Sequence, residues 1–349
     1  MEGLKNGRKL NILLLYHMLA GSSDYMGAAI AAEGNMPVYK IGYLIKQRRT
    51  ELGITQEDLA DGICAVTTLS RIENGERLPS KSHFEMLLQR LGVSDIVFYT
   101  HVDKNTLYLH ELKFKIRSLI GQAQFDEARE LLADYSSKAD LSLRFEKQFV
   151  SLCSTLCDEG SFSLDERLAK LVEALCLTCP RYNDGVIPNL LSYEEIILLN
   201  NIAICYQDMG DYDRAISILS HIKKLYESGI VNREECLRTQ SMILYNLSKN
   251  FGITGRYDEC IETCDLGIKI ACETGRCGCL SDLYYNRAWS LSKRMLPGDM
   301  EKAEADTRKA IFTAVAMDNK EAVEHYKKFY AKTFPQLNLL LNYDIWTIT

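Results

Sequence analysis

The sequence is poor in the residues that form tight turns. Its 349 residues include only six prolines and 21 glycines, spread along the chain. Because turns between strands depend on glycine and proline, this scarcity argues against a mostly β protein and predicts long helices. With 47% hydrophobic and 25% charged residues, the chain is too apolar to be disordered and long enough for two or three domains.

The usual signatures of catalysis are also missing. The sequence contains no phosphate-binding glycine loop, no nucleophile elbow and no paired-histidine zinc motif. Its six histidines show no spacing that is typical of catalysis. We therefore expect that the protein is not an enzyme and that it binds no cofactor.

Long hydrophobic runs are scarce too. The run from Leu10 to Ala20 follows Lys5, Arg8 and Lys9, as in a short signal peptide, but no small-residue cleavage site comes directly after it. Spanning a bilayer takes about 20 apolar residues, so this run is too short. We expect no membrane association and interpret residues 1–37 as a dispensable N-terminal extension, with a functional anchor as the alternative.

The twelve cysteines are scattered singly along helical patterns, unlike those of a disulfide scaffold. This distribution predicts a reducing, cytoplasmic location. Two near pairs, Cys153 with Cys157 and Cys176 with Cys179, lack histidines in zinc-ligand order, so we interpret them as small buried hydrophobes and expect no metal. A redox-sensitive thiol among Cys272, Cys277 and Cys279 stays open.

Residues 38–100 show four short helical patterns, with apolar residues such as Ile41 and Ile45 recurring at helical spacing. The predicted boundaries are a first helix that ends at Gly53, a second that Thr55 caps, a third from Ala65 that stops at Asn74-Gly75, and a fourth that begins at Pro79-Ser80. Gly62 would allow the tight turn between the second and third helices. Two helices joined by a short glycine-containing turn are typical of the helix-turn-helix.

The sequence of residues 41–93 resembles the Cro and phage-repressor type of helix-turn-helix, the XRE class. The resemblance lies in the motif "TQEDLADGIC" followed by "TLSRIENGERLPS". The "GIC" at 62–64 resembles the Rgg-like and PlcR-like branch. The resemblance implies that the third helix enters the major groove of DNA. It also implies that Arg49 and Glu73 pair with each other inside the domain.

The same resemblance implies candidate DNA contacts. Gln56 would bond a phosphate at the start of the second helix, and Arg71 would reach a guanine from the third. The other candidates in the groove are Val66, Thr67 and Ser70, and the other phosphate candidates are Arg48, Asn74 and Lys81. Residues 38–100 carry as many Lys and Arg as Asp and Glu. Such a neutral unit binds DNA weakly, so we expect a homodimer that recognises two half-sites.

Residues 101–336 contain an internal repeat. The segments 198–219 and 244–264 align when Gly210 is placed on Gly255, and a third copy begins at Tyr284. These segments resemble the tetratricopeptide repeat, a helical hairpin that stacks into a superhelix. We expect an all-α protein with five or six hairpins in this region, closed by residues 337–349 as a capping tail.

Asparagines mark one position of the repeat. Asn201, Asn246 and Asn286 occupy the same place in three successive first helices. Because an amide offers both donors and an acceptor, such a row would match an extended peptide backbone. Further candidates are Asn200, Tyr245 and Tyr285, which form an adjacent row, and Lys249 and Arg117, which would take a carboxylate. The alternative is that these asparagines only bond neighbouring helices.

Taken together, residues 38–336 resemble the peptide-sensing regulators of Gram-positive bacteria, the Rgg/PlcR group. The resemblance implies a cytoplasmic, homodimeric transcription regulator of the quorum-sensing type. It would bind a double-stranded DNA operator and a short imported signalling peptide. Two alternatives stay open: a repressor whose repeats only dimerise, and an adaptor whose repeats bind a partner protein.

Overall fold

The computed structural model describes residues 38–91, 104–228 and 233–335. These residues form helices and no strand, which confirms the all-α fold. They make up two compact units: the first runs up to Cys205 and includes Lys224–Cys236, and the second comprises Tyr206–Lys223 and the residues from Leu237 onward. The predicted extension 1–37 and the predicted tail 337–349 lie outside the described residues.

Residues 38–91, here called the N-terminal head, fold as four helices. They are α1 (Val38–Glu51), α2 (Gln56–Ala60), α3 (Val66–Glu73) and α4 (Lys81–Arg90). The hydroxyl of Thr55 accepts the Asp58 N–H at 3.0 Å, so the predicted cap of the second helix is present. The Ser80 hydroxyl likewise accepts the His83 N–H at 3.2 Å and caps the fourth helix. Gly53 and Gly75, with φ of 67° and 74°, end α1 and α3 as predicted.

The core of the head comes from the apolar faces of these helices. Ile45, Leu59, Leu69, Ile72 and Leu87 are fully buried in it. Gly42 lets α1 cross the end of α3, because a Cβ at Gly42 would overlap the carbonyl oxygen of Ile72. The crossing holds α3 against the rest of the head.

The first unit continues with helices that pair into hairpins. They are α5 (Lys104–Gly121), α6 (Phe125–Lys138), α7 (Arg144–Cys157) and α8 (Leu164–Cys176), with short 3₁₀ helices at Glu159–Ser161 and Pro180–Asp184. Helices α9 (Tyr193–Asp208) and α10 (Tyr212–Glu227) follow and cross the boundary between the units. Ile116, Tyr135 and Phe149 are fully buried between α5, α6 and α7.

The second unit contains the later repeats. Its helices after α10 are α11 (Arg233–Ile253), of which the residues up to Cys236 belong to the first unit, α12 (Tyr257–Thr274), α13 (Leu280–Arg294), α14 (Asp299–Ala316) and α15 (Lys320–Thr333). Gly210 and Gly255 both adopt left-handed backbone, with φ of 84° and 78°, at the equivalent turns of two hairpins. Gly267 is one of the small residues where helices touch, since a Cβ there would lie 2.9 Å from the Leu283 side chain. The aligned repeat is therefore present in the fold.

Candidate functional site

The side chains of α3 that were predicted to contact DNA differ in exposure. Thr67 and Arg71 are exposed and lie four residues apart, so they share one face of the helix. Ser70 is half-buried, and Val66 packs partly against the core of the head. The exposed face of α3 thus presents one hydroxyl with its methyl group and one guanidinium.

An ion pair inside the head fixes the orientation of α3. The Arg49 guanidinium donates to both carboxylate oxygens of Glu73, at 2.6 and 2.9 Å, and to the Ile54 carbonyl at 2.7 Å. The pairing with Glu73, a buried carboxylate, raises the pKa of Arg49. The pair that the XRE resemblance implied is present, and it ties α1 to the end of α3.

Other predicted phosphate contacts already have partners within the head. The Gln56 amide donates to Glu73 at 2.7 Å, so one of its hydrogens belongs to the Arg49 network. The Arg48 Nε donates to the Leu91 carbonyl at 3.3 Å. Asn74 is exposed, and Lys81 opens α4. The phosphate contacts of these four residues stay predictions.

The turn between α2 and α3 lies against the part of the first unit that follows α8. Gly62 adopts a φ of 69°, and a Cβ there would overlap the carbonyl oxygen of Thr178. Only glycine satisfies both the backbone angle and this close approach. The turn predicted at Gly62 is present, and it is also a contact between the N-terminal head and the hairpin region.

A buried polar cluster forms next to this contact, from Arg90, Gln148, Thr178 and Glu195. The Arg90 guanidinium donates to the Asp61 and Thr178 carbonyls, the latter at 3.1 Å, and pairs with Glu195 at 3.0 Å. The Thr178 hydroxyl donates to the same Glu195 oxygen at 2.6 Å and accepts from the Gln148 amide at 2.6 Å. Arg90 and Glu195 are 2% and 1% exposed, so this is a buried ion pair.

The ionisation of Glu195 is decided by two opposing effects. Burial penalises its charged form, but the charge of Arg90 and the bonds from Thr178 and Ser192 outweigh that penalty and lower the pKa of Glu195. Apolar contacts accompany the pair, since Leu190 and Phe145 pack against the core of the head. The N-terminal head is thereby fixed to residues 145–195.

The second unit contains an open cavity of about 570 Å³, here called the second-unit cavity. It is lined mainly by one face each of α11, α13 and α15. Four residues predicted from the sequence, Tyr245, Lys249, Tyr285 and Asn286, lie together on its wall. The further aromatic lining residues are Trp289, His325 and Tyr326. The structure therefore gathers these four predicted residues into one concave surface.

The asparagines of the repeat differ in what their side-chain amides bond. The Asn286 nitrogen donates to the Ser248 hydroxyl at 3.0 Å, which bonds α13 to α11. The Asn201 nitrogen donates to the Ile197 carbonyl of its own helix at 2.9 Å, and Asn246 is buried. The alternative weighed for the sequence, helix bonding, therefore accounts for the Asn286 amide. Contact of these three residues with a peptide stays a prediction.

Two further candidates lie in the first unit. Asn200 is buried, and the Arg117 guanidinium pairs with Glu194 while lying 4.5 Å from the Tyr193 ring centre. Arg117 thus already binds an internal carboxylate. A peptide contact of either residue stays a prediction.

Several lining residues of the second-unit cavity were not predicted from the sequence. Asp282 and Trp289 lie three residues before and four residues after the predicted Tyr285 on α13, which is the signal of a shared helix face. This spacing could have been used to predict further peptide contacts on the same face of α13 from the sequence. His325 and Tyr326 come from α15, which lies beyond the third repeat that the alignment recognised.

The thiol groups and the lengths of the helices concern two expectations from the sequence, namely reduced cysteines and no membrane association. Eleven of the twelve cysteines are described as free thiols, of which Cys272 and Cys277 are exposed. Burial raises the pKa of Cys279 to about 12. No described helix combines the length and the apolar character that crossing a membrane needs.

A helix-turn-helix head followed by helical hairpins is a combination that family models recognise. Residues 45–98 match the helix-turn-helix model, and residues 172–332 match the RNPP family C-terminal domain. The chain therefore has an RNPP-family C-terminal domain behind an XRE-type helix-turn-helix, and the predicted resemblance is confirmed.

Two solved structures show a similar fold. PlcR of Bacillus thuringiensis in complex with the peptide PapR7 and DNA is 21% identical with a TM-score of 0.51, and the match covers 83% of this chain and 98% of that chain. PlcR of the same organism in its apo form is 19% identical with a TM-score of 0.54 and the same coverage. At these identities the likeness establishes the fold. No curated protein matches this sequence closely enough to count as a relative.

Proposed function

We propose that this protein is a transcription regulator that binds a DNA operator through its N-terminal head and a short signalling peptide through its C-terminal domain. The proposal is supported above all by the observation that the same chain has both the exposed face of α3 and the second-unit cavity. PlcR, whose fold is similar, was crystallised with both a peptide and DNA. In this proposal the protein works in the cytoplasm as a homodimer, without a cofactor, and catalyses no reaction.

The DNA half of the proposal depends on the exposed face of α3. The Arg49–Glu73 pair holds this helix in place while Thr67 and Arg71 remain available to base edges. A guanidinium can donate to both acceptors of a guanine, and a threonine methyl can touch that of a thymine. A single neutral head gains little from phosphates, so two heads would share the operator.

An Arg71→Ala variant is expected to lose preference at one base pair of the operator, by about 1–3 kcal/mol, because the paired donors to guanine are removed. Fluorescence anisotropy on duplexes selected from a random library, and on their single-base variants, measures this loss. Lys81→Ala is the matched control, expected to weaken binding to all sequences alike. Unchanged base preference in Arg71→Ala would show that α3 does not contact the bases.

The peptide half of the proposal depends on the second-unit cavity. Its volume of about 570 Å³ lies within the range of about 300–1,000 Å³ that is usual for ligand pockets. Aromatic rings provide apolar surface, and a few polar groups such as Lys249 provide orientation. For a peptide to act as a signal, it must bind one arrangement of the dimer better than the other. A difference of about 1–3 kcal/mol would be ordinary for such coupling.

A Lys249→Ala variant is expected to bind peptides with a free C-terminal carboxylate about 10-fold more weakly, because a charge-assisted hydrogen bond is lost. Isothermal titration calorimetry with synthetic octapeptides, as free acids and as amides, measures the difference. Lys269→Ala is the control, since Lys269 is exposed and pairs with Glu273, at 3.9 Å, away from the cavity lining. Equal weakening for acids and amides would mean that Lys249 does not bind the carboxylate.

A further inference from the structure

Asp282 differs from the buried carboxylates of the described residues. Each of the latter forms an ion pair with an arginine: Glu73 with Arg49, Glu194 with Arg117, Glu195 with Arg90, Asp299 with Arg294 and Asp306 with Arg287. Asp282 is half-buried on the wall of the second-unit cavity, and its one hydrogen-bond donor from another side chain is the Tyr326 hydroxyl, at 2.7 Å. Among the described residues, no lysine or arginine forms an ion pair with it.

Several ionisable groups surround Asp282 without neutralising it. Lys249 on α11 and His325 on α15 attract its charge from a distance, while the phenols of Tyr245 and Tyr326 are neutral neighbours. Burial outweighs these attractions and raises the pKa of Asp282, whereas arginine partners lower those of Glu194, Glu195 and Asp299. The carboxylate thus lies in the wall of an open cavity with no close counter-charge.

The aromatic rings beside Asp282 add a second attraction for cations. The Tyr285 ring stacks on Tyr326 with centres 4.8 Å apart and meets His325 edge-on at 5.0 Å. Both tyrosines and Trp289 line the same cavity. The faces of such rings attract an ammonium or guanidinium group, and the attraction grows when the cation leaves water.

We propose that the second-unit cavity binds peptides through a cationic group, either the free N-terminal ammonium or a Lys or Arg side chain, which forms an ion pair with Asp282. This inference rests on the peptide-binding function proposed above and adds the chemistry of its ligand. The cation occupies the place that an arginine occupies at the other buried carboxylates. Lys249, in the same cavity, remains for the carboxylate end, so the two charges set the direction of the peptide.

The test uses the full chain and three sets of synthetic octapeptides with otherwise apolar sequences. The first set has a free N-terminus, the second is acetylated and contains one lysine, and the third is acetylated with norleucine at that position. Thermal shift identifies the peptides that bind, and calorimetry gives their affinities. Comparison of the first two sets distinguishes a terminal ammonium from a side-chain cation.

Asp282→Asn is the critical variant. Its amide oxygen can still accept from Tyr326, so the variant is expected to fold with an unchanged Tm, while its affinity for cationic peptides falls about 10- to 100-fold to that of the neutral set. Glu324→Gln is the control, because Glu324 is exposed on α15 and faces Lys327 at 3.8 Å. It is expected to leave every affinity unchanged.

The outcomes separate this inference from the proposed function. Tight binding of the neutral set, with no effect of Asp282→Asn, would overturn the ion pair and leave peptide binding intact. No binding of any set to the wild-type chain would overturn peptide binding and the ion pair together. Preference for cationic peptides that Asp282→Asn abolishes would support both.

Discussion

An Arg90→Met variant is expected to lower the free energy of unfolding by about 3–5 kcal/mol, because Glu195 would keep a buried charge without a partner. Among the described residues no other cation pairs with Glu195, which is 1% exposed, and its remaining partners, Thr178 and Ser192, are neutral. Urea denaturation followed by circular dichroism measures the loss. The transition should also broaden if the N-terminal head unfolds before the hairpins.

Two controls isolate the buried pair. Arg181→Met removes an exposed guanidinium that bonds Asp61 at 3.0 Å, and pairs of that kind are worth about 0–1 kcal/mol. The double variant Arg90→Met with Glu195→Met should recover most of the loss, since no unpaired charge remains. Equal effects of Arg90→Met and Arg181→Met would show that the Arg90–Glu195 pair is not buried in solution.

The same pair predicts a dependence on pH. Because the pKa of Glu195 is lowered in the folded state, the pair stabilises the protein above the ordinary carboxyl pKa of about 4.3. That contribution is lost as the pH falls through the lowered value. Wild-type protein and Glu195→Gln should therefore differ in stability at neutral pH and converge in acid.

A Gly62→Ala variant is expected to lose about 2–4 kcal/mol of unfolding free energy. The left-handed backbone costs a residue with a Cβ about 1–2 kcal/mol, and the new methyl group would overlap the Thr178 carbonyl. Since a carbonyl is backbone, it cannot rotate away as a side chain can, so the turn must separate from Thr178. Thermal unfolding gives the stability, and hydrogen exchange at residues 178–190 reports the separation.

Gly53→Ala is the matched control for that variant. Gly53 has nearly the same φ, 67°, but nothing lies within 4 Å of the Cβ it would carry. The Gly53→Ala substitution should cost only the free energy of placing a Cβ on left-handed backbone. It should leave hydrogen exchange at residues 178–190 unchanged. If both variants behaved alike, the close approach of Gly62 to Thr178 would be absent in solution.

The sequence predicts the local structure of the head well because its signals are local. Thr55 and Ser80 bond N–H groups only three residues ahead, and Gly75 ends α3 by its own backbone angle. The aligned Gly210 and Gly255 predict the repeat for the same reason. Because such features do not depend on distant residues, they can be recognised from the residues next to them in the sequence.

The contacts between distant segments could not be predicted in this way. Arg90 and Glu195 are 105 residues apart, and neither stands in a motif that indicates the other. Asn286 shows a subtler limit: its repeat position is visible in the sequence, but its bond to Ser248 depends on how closely α13 approaches α11. Asp282 is recognisable as exceptional only after the arginine partners of the other acids are known.

Leu190 and Phe145 determine how the DNA-binding part has to be prepared for experiment. They complete the same apolar cluster as Leu59 and Leu87, although they lie far beyond residue 100 in the chain. A fragment that stops at residue 100 would expose this apolar surface to water and leave the Arg90 guanidinium without the Glu195 carboxylate. We expect such a fragment to self-associate, so that operator affinities measured on it would reflect the aggregate. DNA binding should therefore be measured on the intact polypeptide.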